Sequence, residues 1–315
     1  MEYRAIALRS FSRDRFARKL VGVLLAGAIL APGASADNGA GHKSRCKTPV
    51  DSDALWRSEA AKDFYNAIAW GVGTGVVRWS TTPETRWSTT NGFDTGIRSG
   101  LRLGSTSGRK DADLWSDITL ATGTALIPSS AIALSIRQGD CLEAWDMLTD
   151  LTESLTLSFF VTESVKLAVG RERPYVQECD GTPPGDIDCR DSDKKLSFFS
   201  GHASAAAAGA GVTCSYAIKR KAWGESAAAR VLPCALGVGT ALTTGILRIA
   251  ADKHWGTDVF IGLIVGGAIG YFDTWGPFDF LKFESDSDSG ERDIRGVVLP
   301  YAGGGQIGAR MALTF

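Results

Sequence analysis

Three short stretches of this 315-residue chain put polar and charged residues where apolar helices would exclude them. The first is KLAVGRERP, Lys166 to Pro174, in which Lys166 and Arg173 stand seven residues apart. On a helix that is two turns, so both cations would share one face, and Pro174 would stop the helix. The second is SFFSGHAS, Ser197 to Ser204, directly before the run AAAAGAGV. At a helix start, Ser200, Gly201 and His202 would offer an anion a hydroxyl, backbone N–H groups and the positive end of the helix dipole. The third is LRIAADKHWGTDV, Leu247 to Val259, with Arg248, His254 and Asp258. His254 and Asp258 are spaced i, i+4; a helix would stack them, so that the carboxylate accepts the Nδ1 proton and Nε2 is left bare for attack.

Singly, these stretches have ordinary explanations. A Lys/Arg pair is often a solvated basic face, and Ser-Gly-His can be a plain helix cap followed by a surface histidine. Zinc would need a third protein ligand and a fourth position, and the chain has only three histidines, one of them, His42, in a polar lead-in.

In this order, K-x6-R-P, S-G-H and R-x5-H-x3-D resemble the signature of the type 2 phosphatidic acid phosphatase (PAP2) superfamily, which also includes bacterial non-specific acid phosphatases and vanadium haloperoxidases. The resemblance spans residues 112–273 and departs at Phe199, where proline is usual, and at Leu247, where serine is usual. It implies an all-α fold, a PAP2-type bundle of about six helices with the site at one end. It also implies a phosphohistidine mechanism. His254, oriented by Asp258, attacks phosphorus in line while His202 protonates the departing oxygen and then activates water. Lys166, Arg173, Arg248, Ser200 and the Gly201 N–H hold the equatorial oxygens, with no metal and no cofactor. Three clustered cations without an evident carboxylate partner would also call for an anion to complete them. The implied partners are a phosphorylated lipid (a phosphatidic acid-type phospholipid or an isoprenyl diphosphate) and membrane lipids. A soluble acid phosphatase, a vanadate-dependent haloperoxidase and a non-catalytic headgroup binder are the alternatives.

The elements that must position these groups are apolar runs near 57–78, 112–137, 141–170, 201–218, 226–248 and 256–273, none with the period-2 alternation of strands. Ile118–Ile136, Ala227–Leu247 and Thr257–Phe272 carry almost no charge and could span a membrane. Trp79, Trp115, Trp223 and Trp275 at run ends, with Lys219-Arg220-Lys221 in a short loop, fit a bilayer. The charges scattered over 141–170 and a mean hydropathy of −0.01 would suit a soluble bundle, but the tryptophans and the basic loop favour transmembrane helices. If the helix from Gly201 to Ile218 spans with the basic loop in the cytoplasm, all three motifs fall on the outer, periplasmic side of a bacterial inner membrane. Gly92–Ser105 is amphipathic, with Arg98 and Arg102 four residues apart, suiting either a membrane surface or an ordinary protein surface.

The ends differ in kind. Residues 1–36 combine six basic residues, a short apolar run and Ala34-Ser35-Ala36, the pattern of a cleaved signal peptide; their removal leaves a net charge of about −5. Residues 37–54 read as a flexible lead-in and 55–283 as the helical domain. Residues 284–315 hold an acidic linker and an alternating tail that reads as a short β-hairpin around Gly303-Gly304-Gly305. An exported chain meets an oxidising compartment, and Cys179 and Cys189 bracket a Pro/Gly/Asp-rich loop that a disulfide would staple. Cys214 and Cys234, in apolar helices, read as buried thiols with no bond between them. The balance of 34 basic against 35 acidic residues lacks the basic excess of a nucleic-acid binder.

Overall fold

The computed structural model describes residues 59–179, 189 and 192–274, with two strands at 295–303 and 306–314. The expected signal peptide, lead-in and acidic linker lie outside the described residues. Among those described there are seven helices: α1 (Glu59–Ser80), α2 (Gly92–Leu101), α3 (Thr106–Gln138), α4 (Cys141–Val169), α5 (Gly201–Ser215), α6 (Ala227–Ala250) and α7 (Gly256–Asp273). A π turn at Thr122–Leu126 lies within α3, and another at Tyr216–Arg220 prolongs α5. The helical expectation holds, with the amphipathic stretch supplying a seventh element, α2.

Local chemistry starts and stops these helices. Asn91, Ser105, Asp140, Ser200 and Ser226 each precede a helix and accept a hydrogen bond from an N–H of its first turn. Gly139 and Gly170 end α3 and α4 in the left-handed conformation.

The Ala/Gly-rich α5 is the axis of the bundle, packed against α7, α6, α4 and α3, with every residue from Ala203 to Ser215 buried. Its small side chains let α7 come close. A Cβ on Gly266 would stand 2.0 Å from the Ser204 carbonyl oxygen, so only glycine allows this contact. The approach locks the first turns of α5 and α7 together, where the Ser200 N–H donates to the Asp258 carbonyl at 3.0 Å.

Among the described residues, three helices, α3, α6 and α7, are long and apolar enough to cross a membrane. Their outward faces expose Trp115, Ile118, Leu242, Ile246, Phe260 and Ile264. The cations of this amphipathic stretch, Arg98 in α2 and Arg102 at its C-cap, are half-buried and engaged by carboxylates of the protein. Arg98 and Arg102 both donate to the buried carboxylate of Asp252, at 2.7 and 2.9 Å, and both pair with Glu178.

Cys179 and Cys189 are disulfide-bonded, as the loop composition suggests. Cys214 and Cys234 are bonded too, which corrects the reading of two separate thiols. Each stands ten residues from the turn at Gly224, so the antiparallel α5 and α6 bring them face to face, and Gly237 against Ala210 keeps the helices close. Cys141 is also disulfide-bonded, and no described cysteine is free. At the C-terminus Arg295–Gly303 and Gln306–Thr314 align as antiparallel partners. The turn at Gly304 and Gly305 lies outside the described residues, so the hairpin remains an expectation.

Candidate active site

The site forms where the end of α4, the start of α5 and the α6–α7 connection meet. α4 stops at Val169 rather than at Pro174, because Gly170 takes φ +58° against the segment at Glu84, where a Cβ would lie 2.1 Å from a carbonyl oxygen. Lys166 and Arg173 therefore do not share a helical face. Lys166 sits on the last turn of α4 and Arg173 on the extended loop beyond it. They still converge: Lys166 Nζ lies 3.3 Å from the position of a Cβ on Gly201, and both cations depress the pKa of His254.

The cations are not without partners, contrary to the expectation from sequence. Lys166 Nζ donates to Glu163 Oε1 at 2.8 Å, Arg173 Nε to the Asp193 carbonyl at 2.9 Å, and Arg248 Nη1 to Asp113 and to Ser116 Oγ. Burial alone would push the Asp193 carboxyl up, but Arg78, Arg173 and Lys166 outweigh it and hold it below the usual carboxylate range. The need for a completing anion is thus smaller than the motifs alone imply. What remains is incomplete use of the guanidiniums: Arg248 Nε is buried with no hydrogen-bond partner.

His254 is not on a helix. It lies in the tight connection before α7, and Asp258 is in the first turn of that helix. Nδ1 is 2.8 Å from the Ser197 carbonyl oxygen and 3.7 Å from Asp258 Oδ2. A carbonyl can only accept, so Nδ1 carries the proton and the Nε2 lone pair is free. Burial first, then the charges of Arg173, Arg248 and Lys166, lower the His254 pKa well below its ordinary value and keep the ring neutral.

Asp258 acts one step back from the imidazole. It accepts from Ser197 Oγ at 2.5 Å, from the Trp255 N–H at 2.9 Å and from Arg171 Nη1 at 2.5 Å. Arg171, 1% exposed, reaches Asp94 of α2 through its other terminal nitrogen at 2.6 Å and stacks on Trp87 with its carbon 4.0 Å from the ring centre. Asp94 in turn holds the Thr257 N–H and hydroxyl, at 2.8 and 2.9 Å. Ser197, fully buried, thus donates its hydroxyl to Asp258 and accepts the His254 Nδ1 proton on its carbonyl.

Ser200 caps α5 and is fully buried, and Gly201 begins the helix under Lys166. On its first turn, His202 Nε2 lies 3.0 Å from Asp117 Oδ1 of α3. Every residue assigned to the site from sequence therefore falls at one end of the bundle. Sequence reasoning missed Asp94, Asp113, Asp117, Glu163, Arg171 and Ser197 as partners. The only local signals were Glu163 three residues before Lys166, Arg171 inside GRERP, and the i, i+4 aspartates opening an apolar helix.

Searches of curated proteins and of solved structures returned no match for this chain. The family model of the PAP2 superfamily matches residues 147–280, a segment that holds Lys166, Arg173, Ser200, Gly201, His202, Arg248, His254 and Asp258 and excludes Asp94, Asp113 and Asp117. Over residues 147–280 the chain is thus similar to the PAP2 superfamily, which is generally a family of phosphatases.

Proposed function

We propose that the protein is a metal-independent phosphatase that forms a phosphohistidine on His254 and acts on a phosphorylated lipid, either a phosphatidic acid-type phospholipid or an isoprenyl diphosphate. The observation that carries this reading is the Nδ1 bond of His254 to the Ser197 carbonyl, which leaves a neutral ring with Nε2 free beside three cations. In-line attack by Nε2 makes the N–P bond as the ester P–O bond breaks, and His202 protonates the departing oxygen. Lys166, Arg173 and Arg248, with Ser200 and the Gly201 N–H, take the charge that spreads over the equatorial oxygens. Asp258, 3.7 Å away, steadies the positive charge the ring gains. Water activated by His202 then cleaves the N–P bond and releases phosphate.

The helical domain is assigned to residues 55–283 and the protein to a bacterial cell envelope. α3, α6 and α7, long and apolar enough to cross a membrane, support placement in a membrane; the inner membrane and a periplasm-facing site are part of the proposal. A second reading, a soluble periplasmic phosphatase of the same chemistry, is favoured by the disulfides. Cys214 and Cys234 stand about 20 Å along their helices from Gly201 and Arg248, and Cys141 about 37 Å from Lys166. Bonded cysteines at the end remote from the site fit a bundle that lies wholly in an oxidising compartment.

Phosphate release in detergent and EDTA, from phosphatidic acid, an isoprenyl diphosphate and an aryl phosphate, tests the reading. Metal-free release that His254→Ala abolishes is expected, and the preferred substrate separates lipid from soluble phosphatase. No release from any of the three sinks the phosphatase reading.

A further inference from the structure

Two carboxylates one helical turn apart on α3 occupy the groups that phosphoryl transfer would use. Asp113 accepts from Arg248 Nη1, and Asp117 Oδ1 lies 3.0 Å from His202 Nε2. Neither belongs to the three motifs or to the segment that matches the family. The side chains of Asp113 and Asp117 are 42% and 34% exposed, whereas those of Arg248 and His202 are 6% and 18% exposed. The carboxylates have water to move into; the groups they bond do not.

The pairing of Asp113 with Arg248 also uses the guanidinium poorly. It engages one terminal nitrogen and leaves Nε buried without a partner. A phosphoryl group can take two N–H groups of one guanidinium side by side, which a carboxylate oxygen on Nη1 alone does not. A phosphate on Arg248 and a carboxylate in its present place would be like charges within a few ångströms, so one must leave.

Resting on the reading of this cluster as a phosphate site, we propose that Asp113 and Asp117 are a built-in anion pair that holds Arg248 and His202 and is displaced when a phosphate ester binds. Beside the pair, α3 is tied to α6 by the hydrogen bond between Thr119 Oγ1 and Thr244 Oγ1 at 2.8 Å. In the empty protein the pair keeps Arg248 from being a buried, uncompensated cation. In the working protein it weakens the hold on every anion and favours the dianionic phosphoryl group, which makes more bonds than the carboxylates it replaces. Displacement is a binding cost, so it raises KM more than it lowers kcat.

Isothermal titration of the detergent-purified full chain with inorganic phosphate tests this. The proteins compared are wild type, Asp113→Asn, Asp117→Asn and, as control, Asp111→Asn on the exposed side of the same helix. Asparagine keeps the size and the acceptor oxygen and removes the charge. The expected result is phosphate binding about tenfold tighter in Asp113→Asn and several-fold tighter in Asp117→Asn. KM for an aryl phosphate should fall in step, and Asp111→Asn should match wild type. Unchanged or weaker phosphate binding in variants that melt like wild type would overturn the proposal, since the carboxylates would then support the site rather than fill it. If Asp113→Asn does not fold, Asp117→Asn carries the same decision. Failure of the folded wild type and every variant to bind phosphate would overturn the phosphate site itself, and the anion pair with it.

Discussion

Asp258 Oδ2 lies 3.7 Å from His254 Nδ1, and that nitrogen gives its proton to the Ser197 carbonyl at 2.8 Å instead. The carboxylate thus reaches the nucleophile by charge, and through the Ser197 hydroxyl it holds at 2.5 Å. Where a carboxylate alone sets the tautomer, its amide replacement costs about 10⁴ in kcat. Here the tautomer rests on a backbone carbonyl, so Asp258→Asn is expected to lower kcat by about 10²-fold, and Ser197→Ala by about tenfold. Steady-state rates on an aryl phosphate decide; a loss in Asp258→Asn as complete as in His254→Ala would show that the carboxylate sets the tautomer after all.

Arg171 is a buried cation between two buried carboxylates, Asp94 and Asp258. Breaking one side of such a group leaves an uncompensated charge, at a cost of about 3–5 kcal/mol. Asp94→Asn is expected to lose stability on that scale in urea denaturation. A loss below about 1 kcal/mol would mean that the Arg171 network is relaxed by water.

The lowered pKa of His254 has a signed consequence for stability. The folded protein binds fewer protons at this ring than the unfolded chain does, so stability is full above the ordinary histidine value of 6.5 and is lost as pH falls below it. Melting temperature is expected to drop between pH 7.5 and pH 5.5, and His254→Gln should lessen the drop. The same shift keeps the nucleophile unprotonated in mild acid, so kcat/KM should show no limb near 6.5 from this residue. A limb there that His254 alone explains would contradict the burial and charge account.

The Cys214–Cys234 bond closes a separation of 20 residues. Loops of that order are worth about 3 kcal/mol when cross-linked. The double replacement by alanine is expected to lose stability on that scale in denaturant melts while kcat is unchanged, because the bond lies about 20 Å from the site. In intact cells, resistance of Cys214 and Cys234 to maleimide until a reductant is added would show the bond formed in place.

The residues that would carry the chemistry were legible because each is an exception to its surroundings: a Ser-Gly-His opening an alanine run, a histidine just before an apolar helix and an aspartate in that helix's first turn. The geometry joining them was less so. Gly170 ends α4 because of Glu84, 86 residues earlier in the chain, and no local pattern announces that contact. Arg248 meets Asp113 across 135 residues and His202 meets Asp117 across 85, so the cations looked unpartnered in one dimension. Helical spacing also misled where the helix was absent: His254 stands before α7, and the i, i+4 rule does not reach across a helix start. The Cys214–Cys234 bond needed the α5–α6 turn to be placed at Gly224, which makes the two positions symmetric.

The central claim is that His254 Nε2 takes the phosphoryl group, and the most direct measurement is to trap it. The full chain, mixed with a ³²P-labelled monoester in EDTA and quenched in alkali within milliseconds, should carry label that survives base, is lost in acid, and maps to the peptide containing His254. Absence of label from His254 in a protein that releases phosphate, or label on another residue, would contradict the account.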